Sequence, residues 1–229
     1  MFNAIKLVIS ITVLLISHFA DAQTPQRPIK MTFSYVEHPA IVNDIVPLIR
    51  DAYKKLGIET DFITQPSNRN LLLVEKNLLD GDVGYMRIVL DDYKDLITVE
   101  PPLVLGIFTL LCKTDVVCDA SELANSSNTV VATSATKNGL VKGFKGELAS
   151  QFYIVNDLSA IPKFISSGRF NYAVYPTTRQ EIARFAQKNV KYIELFDANL
   201  YHVLNKKYAF MAEEISQAIQ LTMQERAKQ

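Results

Sequence analysis

Apolar positions along this chain fall into two alternating periods. IKMTFSYVE (29–37) is rich in β-branched and aromatic residues and reads as a strand. In PAIVNDIVPLIRDAYKKLG (39–57), Ile41, Ile45, Leu48, Ile49, Ala52 and Tyr53 recur at helical spacing, and Gly57 closes the run. Pro47 inside it predicts a kink, or a helix that begins near Val46. IETDFITQP (58–66) alternates like a strand. NRNLLLVEKNLLDG (68–81) reads as a helix capped by Asn68 and ended by Gly81. VGYMRI (83–88) is a third strand, and a short helical piece is expected around DDYKDL. ITVEPPLVLGIFTLLCK then gives two strand-like runs broken at Pro101-Pro102.

The series restarts after that break. SELAN (121–125) reads as a short helix, TVVATSA (129–135) as a strand and NGLVKGFKGEL (138–148) as a helix. QFYIVN (151–156) and FNYAVYP (170–176) are strands, with the helix LSAIPKFISSG (158–168) between them. TTRQEIARFAQKN (177–189) reads as a helix, VKYIELFD (190–197) as a strand, and residues 200–229 as helical. Two consecutive βα series predict an α/β protein of two doubly wound, Rossmann-like lobes. Ligands of such sheets bind beyond the carboxyl ends of strands. Five predicted strand ends carry polar or aromatic side chains: Glu37-His38, Gln65-Asn68-Arg69, Arg87, Ser134-Thr136 and Tyr175-Thr177. Together they describe a cleft.

Composition and the N-terminus narrow the setting. Lys6 is followed by an apolar run from Leu7 to about Phe19 and then by Ala20-Asp21-Ala22, an A-x-A site. That pattern predicts a secretory signal peptide over residues 1–22, cleaved before Gln23, and hence a periplasmic, soluble chain. The run is short for a permanent membrane anchor, which is the competing reading. Lys and Arg number 24 against 24 Asp and Glu, so the chain offers no electrostatic footprint for nucleic acid. Cys112 and Cys118 are expected to form a disulfide in an oxidising compartment; a reduced buried pair is the alternative. Two cysteines without a neighbouring histidine lack the ligands for a structural zinc. The sequence contains no G-x-S-x-G, H-E-x-x-H or Walker loop, and neither a cofactor nor a metal is expected.

Three stretches carry a resemblance. LLLVEKNLLDGDVGYMR ends a helix in a Gly-Asp pair, continues as a strand and closes on an arginine. ISSGRFNYAVYPTT places Gly-Arg before a strand, and NLYHVLNKKYAFMAEEISQAIQLTMQE supplies closing helices. In that order they resemble the periplasmic solute-binding proteins of the amino-acid-binding type, which serve ABC transporters. The resemblance implies a type II periplasmic binding fold with a two-strand hinge near residues 105–112 and 195–200. Lobe 1 would span 23–108, completed by 198–229, and lobe 2 would span 109–197.

In that family the arginine matching Arg87 grips the ligand's carboxylate, for which a planar guanidinium offers paired donors. The alternative for Arg87 is a structural ion pair with Asp82, Asp91 or Asp92. In amino-acid binders an aspartate that holds the ammonium follows the strand matching FNYAVYP. Here Tyr175-Pro176 stands in that place, which counts against an α-amino acid and leaves a carboxylate or another polar small molecule open. The expected ligand set is Arg87, Tyr35, Glu37, Arg69, Tyr85, Ser134, Thr136, Asn138 and Tyr175. The expected function is capture of a small polar, carboxylate-bearing metabolite by a monomer, for a membrane transporter or sensor and without catalysis. The alternatives are a dehydratase on the same fold, or a degenerate member that acts only through protein partners.

Overall fold

The computed structural model describes residues 26–66, 69–90, 92–184 and 190–228. The expected signal peptide and the proposed cap Asn68 lie outside these residues. Strand β1 (Lys30–Tyr35) leads through a π-helical turn, Ile41–Ile45, into α1 (Val46–Lys55). Pro47 therefore falls in the first turn of α1, where its missing N–H costs no intrahelical bond. Val46, Leu48, Ile49, Ala52 and Tyr53 form the buried stripe of α1, and Lys54 and Lys55 sit favourably at its negative end.

β2 (Glu59–Thr64), α2 (Asn70–Glu75), β3 (Gly81–Met86) and a four-residue helix α3 (Arg87–Leu90) follow. Gly81 was expected to end a helix. It instead opens β3, where a Cβ would collide with the Val203 carbonyl and with Phe33, so close strand approach demands the glycine. The helix expected around DDYKDL also lies earlier, as α3.

β4 (Leu96–Val104) runs through both Pro101 and Pro102 instead of breaking at them. It can do so because it is an edge strand whose pairing shifts register there, so the missing N–H groups leave no ladder bond unmade. Leu105 alone separates β4 from β5 (Gly106–Lys113), which belongs to the other sheet. β6 (Thr129–Ala132), α4 (Ser134–Gly143), β7 (Gln151–Ile154), α5 (Ile161–Ser166), β8 (Tyr172–Thr178), α6 (Arg179–Ile182) and β9 (Val190–Asp197) complete that half. α4 starts four residues earlier than the pattern predicted. Thr133 is its cap, its hydroxyl accepting from the Thr136 N–H at 3.1 Å, so the β-branched run ends one turn sooner.

The tail corrects the sequence reading most. Leu200–Asn205 is not helical but strand β10; Lys206–Met211 is a 3-10 turn, and Ala212–Arg226 forms the closing helix α7. β10 lies between β3 and β4 and is buried along nearly its whole length, so it shows none of the alternation that marks a half-exposed strand. The first sheet has the order β2-β1-β3-β10-β4, with β10 antiparallel to both neighbours. The second has the order β7-β6-β8-β5-β9, with β5 antiparallel to β8 and β9. Each half is thus a parallel βα sheet extended by antiparallel strands from the crossing chain.

Two crossings link the halves: Leu105, and Ala198-Asn199 between β9 and β10. They lie side by side, with the Ala198 N–H donating to the Gly106 carbonyl at 2.7 Å. One apolar cluster belongs to the first sheet and one to the second. A third is continuous between them, joining Leu71, Met86 and Val89 to Phe108, Ala135 and Leu140. Cys112 and Cys118 form the expected disulfide, with Cα atoms 5.7 Å apart, tying the end of β5 to the following loop.

Candidate ligand cleft between the two sheets

The carboxyl ends of β1 and β3 face those of β6 and β8 across the crossings. Between them lies a cavity of about 80 Å³. The first half contributes Val36, His38 and the Gly84-Tyr85-Met86 end of β3. The second half contributes Thr133, Ala135 and Thr136 from the start of α4, Leu158, and Pro176-Thr177-Thr178 from β8. Its polar lining consists of hydroxyls and one imidazole; among the described residues no Asp, Glu, Lys or Arg lines it.

His38 is the central polar group on the first wall and is only 6% exposed. Its Nδ1 accepts from the Ala40 N–H at 3.2 Å, and its ring stacks on Tyr175 with centroids 5.5 Å apart. Burial pushes the imidazole pKa down to about 4, so the ring is neutral near pH 7. With Nδ1 committed as an acceptor, the single ring proton sits on Nε2. That Nε2–H has no hydrogen-bond partner, and neither does the Thr177 Oγ1 on the opposite wall, a residue 5% exposed. Buried polar atoms are nearly always paired, and these two lie sealed within the packing of residues that line the cavity. By contrast the Thr133 and Thr136 hydroxyls bond each other at 2.9 Å.

Of the expected ligand set, Tyr85 and Thr136 line the cavity, as do His38 and Thr177 from the strand ends named with it. Tyr175 lies behind it, buried beneath His38. Ser134 opens α4 half-buried, beside the lining residues Thr133 and Ala135. Tyr35 packs into the first-sheet core, while Glu37, Arg69 and Asn138 are exposed. Arg87 points away from the cleft. Its guanidinium pairs with the Glu100 carboxylate, donates to Thr98 Oγ1 at 3.0 Å and lies 4.1 Å over the Tyr201 ring. The chain leaves β3 at Met86 and turns helical at Arg87, and that turn directs the side chain to the β4 edge. Of the three aspartates considered as its partner, Asp82 is held elsewhere, Asp92 pairs with Lys142, and Asp91 lies outside the described residues.

Asp82, the acid of the Gly-Asp pair, is fully buried within the first sheet. It accepts from Ser34 Oγ at 2.7 Å, Asn70 Nδ2 at 2.9 Å and the Gly84 N–H at 3.0 Å. Burial nevertheless pushes its carboxyl up to about 7. Nearby, His202 Nε2 and the Tyr53 hydroxyl share a hydrogen bond of 2.8 Å.

Outside the cavity a wider groove of about 770 Å³ shares Ala40, Ile45, Val104 and Thr178 with it. The arginines of this groove are paired: Arg179 with Glu194 and Asp197, Arg184 with Glu181, and Arg226 with Asp51. On another side the halves are in direct contact. Gly139 of α4 abuts Phe108 and Val89, and Lys142 pairs with Asp92 at 2.7 Å. Among the described residues no cluster of three potential metal ligands occurs, and no helix is long and apolar enough to cross a membrane.

No protein-family model matches the sequence, and no curated protein matches it. Solved structures do match in shape. The arginine-bound form of truncated ArgBP from T. maritima superposes with a TM-score of 0.67 at 11% identity, covering 84% of this chain and 95% of that one. The GluR0 ligand-binding core from Nostoc punctiforme, in complex with L-glutamate, gives 0.68 at 13% identity over 86% and 94%. The ancestral amino acid-binding protein AncCDT-1, a precursor of cyclohexadienyl dehydratase, gives 0.67 at 14% over 86% and 90%. The chain therefore has the two-lobed, type II fold of the periplasmic amino-acid-binding proteins.

Proposed function

We propose that this chain is an exported, monomeric binding protein that encloses a small solute between its lobes and hands the closed state to a membrane transporter or sensor. The observation that carries this reading is a cavity walled by both sheets, with His38 and Met86 on one side and Thr136 and Thr177 on the other. A ligand held by both would favour the closed arrangement, because only there are both walls within reach. The lobes then divide where the chain crosses, at Leu105 and Ala198-Asn199, three residues before the boundary expected at 108, since residues 106–108 pair within the second sheet. Catalysis is not part of the proposal. The Ala40 N–H holds the His38 proton on Nε2, which makes that buried nitrogen a donor and leaves no lone pair there for a base.

The expected carboxylate rested on Arg87, which serves the β4 edge, and among the described residues no cation lines the cavity. The test is a screen of small metabolites by thermal shift, with Ala135→Leu alongside to fill the cavity. A saturating ligand at a hundred times its dissociation constant adds about 2.7 kcal/mol. A response lost in Ala135→Leu supports capture in the cleft; a response unchanged by the filling refutes it.

A second reading has its own support. The apolar cluster that runs unbroken from Met86 and Val89 to Ala135 and Leu140 closes most of the cleft without any ligand. A chain permanently closed in this way would act through protein partners alone. No response to any compound, from a well-folded protein, would select that reading.

A further inference from the structure

We propose that the lobes rest closed on an empty cleft, held by two contacts that flank the cavity: α3 against α4 on one side, and Val36 and His38 against the second sheet on the other. The first contact is shaped by two glycines one turn apart on α4. A Cβ at Gly139 would stand 3.4 Å from Val89 Cγ2, and one at Gly143 would stand 2.7 Å from Ile88 Cδ1. The bare α4 backbone thus lets Ile88 settle closer than a side chain at position 143 would allow. Val89 is only 4% exposed and shares one apolar cluster with Ala135 and Leu140 of α4. The Lys142–Asp92 ion pair spans the same two lobes. On the other side, Val36 packs against the apolar core of the second sheet, and the His38 ring stacks on Tyr175.

Lobes that meet through polar surfaces move freely by default, whereas a hydrophobic meeting face holds them together. Parting these lobes would expose Ile88, Val89 and Val36 to water, along with the α4 face and the second-sheet core that they cover. Keeping such surface out of water favours the closed form. Closure loses little freedom in return, because Leu105 and Ala198-Asn199 already tether the lobes side by side. Neither contact involves a solute. Met86 at the end of β3 and Ala135 and Thr136 at the start of α4 line the cavity, so the elements that wall it also hold it shut. A solute could then enter only through a minor open form, which such an equilibrium keeps at roughly 0.1–10%. A closed resting state follows from the two-lobed division and not from capture of any solute, so either can fail alone.

Asn43 and Gln180 are exposed and line the outer groove from opposite lobes. Asn43→Cys with Gln180→Cys, each carrying a nitroxide, reports the lobe separation by pulsed electron resonance; the two native cysteines are taken up in the disulfide. Refolding from guanidinium without reductant first strips any bound solute. The stripped chain should show a single distance, that of the closed structure, with an open share below about a tenth. A longer distance in most molecules overturns the proposal. Val89→Asn, which sets an amide against the α4 backbone, should bring up a second, longer distance, with the open-to-closed ratio raised about tenfold. Should that variant misfold, Ile88→Ala, at the half-buried neighbour, takes its place with the same expected direction. A folded variant that stays closed overturns α3 and α4 as the holding contact. A chain that is open when stripped yet responds to a metabolite overturns the closed resting state and leaves capture standing. A closed chain that answers no metabolite supports the closed resting state and removes capture.

Discussion

Asp82→Asn should make the protein more stable at neutral pH. The carboxyl of Asp82 is fully buried, and its pKa stands at about 7 against an ordinary 3.8. The folded state therefore keeps a proton that the unfolded chain gives up. Stability from this group is complete below pH 3.8 and is lost as pH rises towards 7. At 1.36 kcal/mol per pKa unit, about three units amount to a cost of up to about 4 kcal/mol at pH 7. Asparagine removes the ionisation, and the site can receive its extra N–H. Asn70 Oδ1 has no partner, and an amide flip would turn it towards position 82 as an acceptor.

His38 and His202 work in the opposite direction. Burial lowers both to about 4, so each contributes stability that is lost as pH falls from 6.5 towards 4. Between about pH 4.5 and 6 the two histidines outweigh the one aspartate, and stability should rise by about 1.4 kcal/mol per pH unit. In Asp82→Asn the same slope should approximately double, to ~2.7 kcal/mol per unit. Urea unfolding followed by far-ultraviolet circular dichroism suits a chain with no tryptophan. A variant less stable than the parent at pH 7, with an unchanged slope, would show that Asp82 is ionised in the fold and that its three donors outweigh desolvation.

Three further outcomes are expected. Arg87→Ala should cost under about 1 kcal/mol and leave any cleft ligand's affinity unchanged, since the half-exposed guanidinium holds Glu100 at the β4 edge; a lost ligand response in a binding titration would contradict this. Gly139→Ala would place a Cβ 2.7 Å from Phe108 Cζ, and Phe108 is fixed by stacking on Phe196 at 4.6 Å. This alanine should therefore lower the melting temperature, with an overpacking cost of about 1–3 kcal/mol exceeding the ~1 kcal/mol that Gly to Ala normally gains in a helix. Reducing the Cys112–Cys118 bond should remove about 2 kcal/mol in a denaturant titration, because the closed loop is short.

Much of the architecture was written in local pattern. Period-two and period-3.6 runs predicted most strands and helices, their alternation predicted two βα halves, and the polar residues at 37–38, 134–136 and 175–177 predicted which strand ends meet. Those signals are local because an amphipathic element carries its own burial pattern. Signals failed where burial is two-sided or direction matters. β10 is covered on both faces and so has no period to read. Pro101 and Pro102 look like breakers until β4 is known to be an edge strand. Arg87 lies one residue past β3, and whether a side chain there enters the cleft or turns to Glu100 depends on the backbone turn into α3.

Residue pattern was enough for the fold class and for naming strand ends that line the cavity. What that cavity offers depends on long-range packing. Its volume depends on how closely the two sheets approach, and its chemistry on which side chains that approach brings to the cavity. The proton on His38 Nε2 follows from a hydrogen bond two residues away, and its lack of a partner from everything packed around it.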